Sequence, residues 1–320
     1  MRKEYKFETF DGSHMKAASE LLSLAYIEER KAVGCLPGDI EIPPLDEYVK
    51  NKLGISAFLD GELVGFLCCL SPWDNFFGTS RGTFVPVNAH AAVKEDRKNI
   101  YSRLYALAAE VWVREGILSH AIGIYAHDAD AVGSFFENGF GLRTIDAVMS
   151  IKDSTIPLYE GKVVFREIQN DEYYKICPLR NGVISHLNGS PMFMPLRTDT
   201  TERFLELVSK SPRRYIIAEY EGEAIAYVKL TAEGESYISE SSNMMNITGA
   251  YIVPEFRGKG IYQGLLAYAI EILKEEGYKQ LGVDFESFNP TAKAFWLKYF
   301  TPYIYGLTRR IDERIMKLHE

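Results

Sequence analysis

Val253-Pro254-Glu255-Phe256-Arg257-Gly258-Lys259-Gly260-Ile261-Tyr262 follows an apolar run over residues 247–253 and precedes an apolar-periodic segment over 265–273. A strand, a loop with two glycines and a helix start form a phosphate-binding arrangement. The glycines let the backbone come close to an anion, and the unpaired N–H groups of the first helical turn point at it.

The segment belongs to a larger repeat. Residues 55–59, the turn Asp60-Gly61-Glu62 and residues 63–70 read as a hairpin; so do residues 215–220, Glu221-Gly222-Glu223 and residues 224–230. The turn glycines Gly61 and Gly222 are 161 residues apart. Tyr101 and Tyr262 share that offset, each after an isoleucine at a helix start, and so do Gly116 and Gly277, each where a helix is expected to end. Three landmarks on one offset mark two copies of one unit.

Each copy has the same order. A short strand (5–10; 163–168) precedes a helical region and the hairpin. A further strand (83–88; 246–253) leads to a helix (100–114; 261–275), a strand (121–125; 280–285), a helix (129–138; 291–299) and a terminal extended segment. Hairpins mixed with strand–helix–strand crossovers predict an α/β fold with a mixed sheet. Residues 153–162, with Pro157 and Gly161, form the expected linker between a domain at 1–155 and one at 160–320.

Composition narrows the class. A net charge of −8 over 320 residues argues against a general nucleic-acid or anionic-membrane binder. No apolar run reaches the length of a membrane span, and Met1-Arg2-Lys3-Glu4-Tyr5-Lys6 lacks the apolar core of a leader peptide. Cys35, Cys68, Cys69 and Cys177 have no metal-ligand or disulfide spacing, so no metal is expected. Cys68 and Cys69 read as buried free thiols, consistent with a reducing cytoplasm.

The order of elements and the glycine loop resemble the GNAT superfamily of acyl-CoA N-acyltransferases, here in tandem duplication. The resemblance implies two GNAT-like domains, each a mixed, mostly antiparallel sheet flanked by helices. Arg257-Gly258-Lys259-Gly260-Ile261 matches the superfamily's Arg/Gln-x-x-Gly-x-Gly/Ala signature up to its sixth position, where Tyr262 replaces the usual Gly or Ala. Tyr101 stands in the same place in the first copy, so both rings are expected to turn into the core. The resemblance implies that the amides from Gly258 to Tyr262 hold the pyrophosphate of acetyl-CoA. Backbone near Tyr251 and Ile252 would pair with the pantetheine arm, beside Asn289 and Ala292.

The first copy reads Glu95-Asp96-Arg97-Lys98-Asn99-Ile100-Tyr101, one residue shorter than Glu255 to Tyr262, without glycine and with Asn99 opposite Gly260. Without glycines the backbone cannot easily approach a phosphate, and Glu95 and Asp96 add negative charge. The 1–155 domain is therefore read as degenerate and not CoA-binding, the 160–320 domain as CoA-binding and catalytic.

Acyl transfer to an amine needs a neutral amine, a donor for the oxyanion and a proton for the leaving thiolate. The resemblance assigns the oxyanion donor to the N–H of Ile252 or its neighbour. Trp296, seven residues beyond Asn289, replaces the tyrosine that often protonates the thiolate, so Tyr299, three residues on, is the substitute. Glu286 is the candidate base, with Asp284 on the same strand face. Asn181 and His186, in a polar, turn-rich segment, are acceptor-site candidates, and His90 and Asn88 are further ones. The expected reaction is acetyl transfer from acetyl-CoA to a small-molecule or peptide amine. A longer acyl or aminoacyl donor, or a non-catalytic acyl-CoA sensor, are the alternatives. The sequence leaves the oligomeric state open, a homodimer included.

Overall fold

The computed structural model describes residues 4–38, 40–210 and 213–318. Met1, Arg2 and Lys3, at the head of the stretch read for a leader, lie outside them. In chain order the first half contains β1 (Lys6–Thr9), α1 (Met15–Ala32), α2 (Asp46–Asn51), β2 (Ile55–Leu59), β3 (Glu62–Leu67), β4 (Trp73–Phe76), β5 (Ser80–Val85), β6 (His90–Ala92), α3 (Arg97–Arg114), β7 (Ser119–Tyr125), α4 (Ala129–Glu137) and β8 (Gly141–Ser150). The second contains β9 (Val164–Glu167), α5 (Ile176–Asn188), α6 (Thr201–Ser209), β10 (Arg214–Tyr220), β11 (Glu223–Thr231), β12 (Met244–Ile252), α7 (Ile261–Glu275), β13 (Gln280–Glu286), α8 (Pro290–Trp296) and β14 (Thr301–Arg310). The mixed α/β class read from the sequence holds.

Two compact units form. Unit 1 is Met1–Gly34, Asp39–Asp146 and Pro302–Glu320; unit 2 is Cys35–Gly38 and Ala147–Thr301. The second domain expected at 160–320 therefore gives up its last strand. β14 pairs antiparallel with β7, from Ile304 opposite Tyr125 to Arg310 opposite Ser119. The last residues of β8 in turn lie in unit 2, where β8 neighbours β13. β14 thus belongs to the sheet of unit 1, and only the last residues of β8 belong to unit 2.

Unit 1 contains the sheet β1-β2-β3-β6 and the strand run β4-β5-β7-β14-β8. Its core gathers Phe66, Leu67, Ile100, Leu104, Trp112 and Phe135 between strands and helices. Cys68 and Cys69 are fully buried, and burial pushes the Cys69 thiol up to about 12, as expected for inert thiols. Two histidines are also enclosed. His90 is placed with Nδ1 2.9 Å from the Tyr101 hydroxyl and Nε2 2.8 Å from the Gly123 carbonyl. His120 meets the Tyr105 hydroxyl and the Ile117 carbonyl. His90 and the buried Asn88 thus belong to the interior of unit 1, which corrects their reading as acceptor-site residues.

Burial lowers both histidines from 6.5 to about 4. The unfolded chain binds a proton at each near pH 6.5 while the fold refuses it until about pH 4. Stability is therefore full above pH 6.5 and lost as pH falls through this window, by about 3 kcal/mol per histidine. Denaturant titrations from about pH 7 to about pH 4 should show this slope. Replacing both histidines by glutamine should flatten it, and an unchanged slope would place the acid lability elsewhere.

Unit 2 contains the strand run β8-β13-β12-β11-β10-β9, antiparallel from β9 to β12 and parallel between β12 and β13. α5 packs on β11 and β12, and α7 on β10 and β11. The core on the α5 side includes Tyr173, Ile176, Phe204, Tyr215, Ile217 and Tyr227.

Candidate functional site

The geometry begins where two parallel strands part. β12 pairs with β13 from Met244 opposite Gln280 to Ile247 opposite Val283, and the pairing ends there although both strands continue. At this point β12 carries a bulge: Lys229 pairs with Gly249 and Leu230 with Ile247, leaving Thr248 extra. A bulge bends its strand and re-aims it. Beyond it β12 follows β11 alone. The Val253 N–H donates to the Ile225 carbonyl at 3.0 Å. Alternation along an antiparallel pair then turns the amides of Gly249 and Tyr251 toward β11, and those of Ala250 and Ile252 toward the gap left by β13.

At the end of β12 the chain makes a short turn over Pro254–Phe256 and enters the glycine loop. Gly258 (φ 73°) and Gly260 (φ 76°) are both left-handed, and Gly260 caps the start of α7. A Cβ at Gly258 would meet nothing within 4 Å, and one at Gly260 only the Tyr159 ring at 4.0 Å. Open space in front of a helix start is what an anion needs to approach the first amides.

A cavity of about 380 Å³ joins the loop to the gap. Its lining includes Tyr251, Ile252, Arg257, Gly258, Gly260, Ile261, Tyr262 and Asn289, together with His186 and Trp296. Of the residues expected around the cofactor only Lys259 is outside this lining; its Nζ lies 5.2 Å from the Phe256 ring centre. Arg257 donates through Nε to the Ile252 carbonyl at 3.2 Å and stacks on Tyr251. Tyr262 turns inward, its hydroxyl donating to the Tyr227 carbonyl at 3.2 Å, so its bulk stays off the loop.

Asn289 caps α8. Its Oδ1 accepts from the Ala292 N–H (3.3 Å) and the Thr291 hydroxyl (2.8 Å), with His186 Nε2 at 3.3 Å. His186 is therefore brought to the cavity. Asn181 is not: its amide donates to the Asp199 carbonyl at 2.8 Å and its carbonyl accepts the Asp199 N–H at 3.1 Å, tying down the approach to α6. Cys177, beside it, is buried and donates to the Asp199 carbonyl.

Tyr299 is also displaced. α8 ends at Trp296, but the Tyr299 N–H still donates to the Trp296 carbonyl at 2.9 Å; the ring packs against the edge of Phe295, at 5.5 Å between centres, and is outside the cavity lining. Glu286 lies at the end of β13, outside the cavity lining. Asp284, two residues before it, is outside that lining as well. Burial raises its carboxyl to about 6, with Glu235 and Glu286 adding repulsion and Lys229 opposing it. A carboxylate tuned toward neutrality beside an open strand end suits proton removal.

Unit 1 preserves the layout but not the chemistry. Its counterpart of β12 is broken by residues 86–89 into β5, paired with β7, and β6, paired with β3. His90 and Gly123 occupy the positions, 161 residues earlier, of Tyr251 and Asp284, and their hydrogen bond closes the gap. Asp128 stands at the place of Asn289 and caps α4 in the same way. α3 begins at Arg97, three residues before the expected helix start, with Asp96 left-handed at φ 64°. Arg97 reaches the Ala92 carbonyl and ion-pairs with Glu28 (2.8 Å) and Asp128 (3.1 Å). Carboxylates thus hold Arg97, and Lys98 beside it pairs with Glu137 at 2.5 Å.

Among the described residues, no group of three or more His, Cys, Asp or Glu is placed to hold a metal, and no helix is long and apolar enough to cross a membrane.

Residues 182–300, all within unit 2, match the acetyltransferase (GNAT) family. No curated protein matches the chain. Among solved structures, a GCN5-related N-acetyltransferase from Sphaerobacter thermophilus superposes with a TM-score of 0.58 at 13% identity, covering 96% of this chain and 95% of its own. A GCN5-related glucosamine N-acetyltransferase region of a fungal multi-domain GH3 beta-N-acetylglucosaminidase superposes at 0.51 and 15% identity, over 96% of this chain and 38% of that one. A tandem GNAT protein from the clavulanic acid biosynthesis pathway gives 0.48 and 14% identity, covering 96% and 98%. At such identities the first two likenesses show the fold.

Proposed function

Residues 182–300 match the acetyltransferase (GNAT) family, an acyltransferase family that uses acyl-CoA, and from that premise we propose that unit 2 transfers an acetyl group from acetyl-CoA to an amine by direct attack. The observation that carries this reading is the pair of left-handed glycines, open to space at the start of α7 and joined by one cavity to the unpaired edge of β12.

The residues fit an acyl-CoA. Amides around Gly258 to Tyr262 would take the diphosphate, and the edge of Ala250 and Ile252 would pair with the amide-bearing arm, beside Asn289. The thioester supplies an electrophilic carbonyl carbon and a thiolate leaving group. The chain supplies position and proton handling. An amide of the unpaired β12 edge is oriented to donate to the carbonyl oxygen as negative charge develops on it. The amine's lone pair forms the C–N bond as the C–S bond breaks, and Asp284 accepts the amine proton. Trp296, a hydrogen-bond donor that gives up no proton, leaves the thiolate to be protonated by solvent.

Purified protein mixed with acetyl-CoA and a panel of amines should release free thiol only when an amine is present. Tight acetyl-CoA binding by calorimetry with no thiol from a broad panel would favour a sensor. Release with longer acyl donors alone would move the donor assignment but keep the site.

A further inference from the structure

A ring from outside the matched segment reaches the glycine loop. Tyr159 lies in the stretch expected as a linker, before residues 182–300. Two glycines seat it. Gly264 is one turn into α7, its N–H bonded to the Gly260 carbonyl at 3.0 Å. A Cβ there would stand 2.3 Å from the Tyr159 Cβ, so the chain can lie directly on the helix only because residue 264 has no side chain. A Cβ at Gly161 would stand 2.4 Å from the Tyr159 Cζ, so the ring folds back over that residue's backbone. Phe165 meets the ring edge-on, with centres 5.8 Å apart. Held in this way, the ring has its Cδ2 at 4.0 Å from the Cβ position of Gly260 and is still only half-buried.

Unit 1 fills the same place differently. Arg103 stands 161 residues before Gly264, and its guanidinium lies over the Phe7 ring at 4.4 Å, much as Gly264 lies beside Phe165. The copy without a glycine loop carries a long cation at this point. The copy with the loop carries no side chain there, and an aromatic ring from the preceding chain takes up the space.

The side on which the ring stands decides what it can meet. A diphosphate at the start of α7 would join two halves of the coenzyme. The amide-bearing arm has its place in the cavity along the β12 edge, so the nucleotide must leave from the other end of the diphosphate. Tyr159 flanks Gly260 but is outside the cavity lining, on the side left to the nucleotide. We infer that Tyr159 is a binding residue for the adenosine end of the coenzyme, its ring stacking on the adenine. Such stacking needs only a flat, fixed aromatic surface, and its contribution is lost when the ring is removed. The inference rests on the acyl-CoA reading of the same loop.

The test divides the coenzyme: adenosine 3′,5′-bisphosphate stands for the nucleotide end and S-acetyl-pantetheine for the arm, each measured beside acetyl-CoA by calorimetry on the intact chain. Tyr159→Leu and Tyr159→Met keep bulk on α7 and remove the aromatic face. Both should weaken acetyl-CoA and the nucleotide about tenfold or more and leave S-acetyl-pantetheine as it was. Tyr159→Phe should keep the wild-type affinities. Thermal unfolding checks that each variant is folded. A side chain that only packs the linker would weaken both halves together or neither, and either result would overturn the inference while the coenzyme site stands. So would a nucleotide affinity that falls as far in Tyr159→Phe as in Tyr159→Leu, or wild-type protein that binds acetyl-CoA but not the nucleotide. Wild-type protein that binds no acetyl-CoA would overturn both readings.

Discussion

Gly260→Glu should abolish the proposed acetyl-CoA binding, with a loss of about 100-fold or more in calorimetric affinity. Two effects add. Gly260 sits at φ 76°, where a side chain costs about 1–2 kcal/mol in backbone strain, and relaxing that strain would unwind the start of α7. The new carboxylate would also stand before the amides that are to meet a diphosphate, replacing attraction with repulsion. The counterpart change Asn99→Ala in unit 1 should leave affinity unchanged, because Asn99 only donates to Asp96 at the surface of a helix that has no glycine loop. Thermal unfolding of the variants separates a lost site from a lost fold. Equal losses from both substitutions would refute the assignment of the site to one copy.

That asymmetry was legible in the residues. Glycines at 258 and 260 against Arg97 and Asn99 told which copy could approach an anion, and the common offset of 161 found both hairpins and both tyrosine-led helices. The offset also relates Asn289 to Asp128 and Asp284 to Gly123, but only the structure shows these pairs at equivalent places. A one-residue change of chemistry at each is invisible to a search for apolar period.

Other features were beyond the reach of local pattern. The apolar residues of β14 satisfy a strand in either unit, because alternation records which face is buried and not which neighbour supplies the hydrogen bonds. Its pairing with β7 therefore had to be seen. Tyr299 lies in the turn that continues past α8 and packs its ring on Phe295 outside the cavity lining, which aromatic spacing alone did not tell. Asp284 and Glu286 shared one strand face in the sequence, and only the fold shows that burial lifts the Asp284 carboxyl toward neutrality.

Asp284→Asn should lower kcat by about 100-fold or more while making the protein more stable at neutral pH. The carboxyl is raised from 3.8 to about 6 in the fold, so the native state holds its proton more tightly than the unfolded chain does. Stability therefore declines as pH rises from about 4 through 6, and above 6 the ionised group carries a constant cost of about 3 kcal/mol or less. Asparagine keeps the shape and removes that cost. Activity has the opposite dependence, because only the ionised form accepts the amine's proton. The wild-type kcat should rise with pH up to about 6 as Asp284 ionises and the variant should lack that limb, whereas kcat/KM also carries the amine's own deprotonation at higher pH. A group present for packing would lower stability when replaced and leave the pH profile intact. Loss of rate together with gained stability and a vanished acid limb identifies a strained base. A variant that keeps the limb would return the role to Glu286, whose own replacement by glutamine should then remove it.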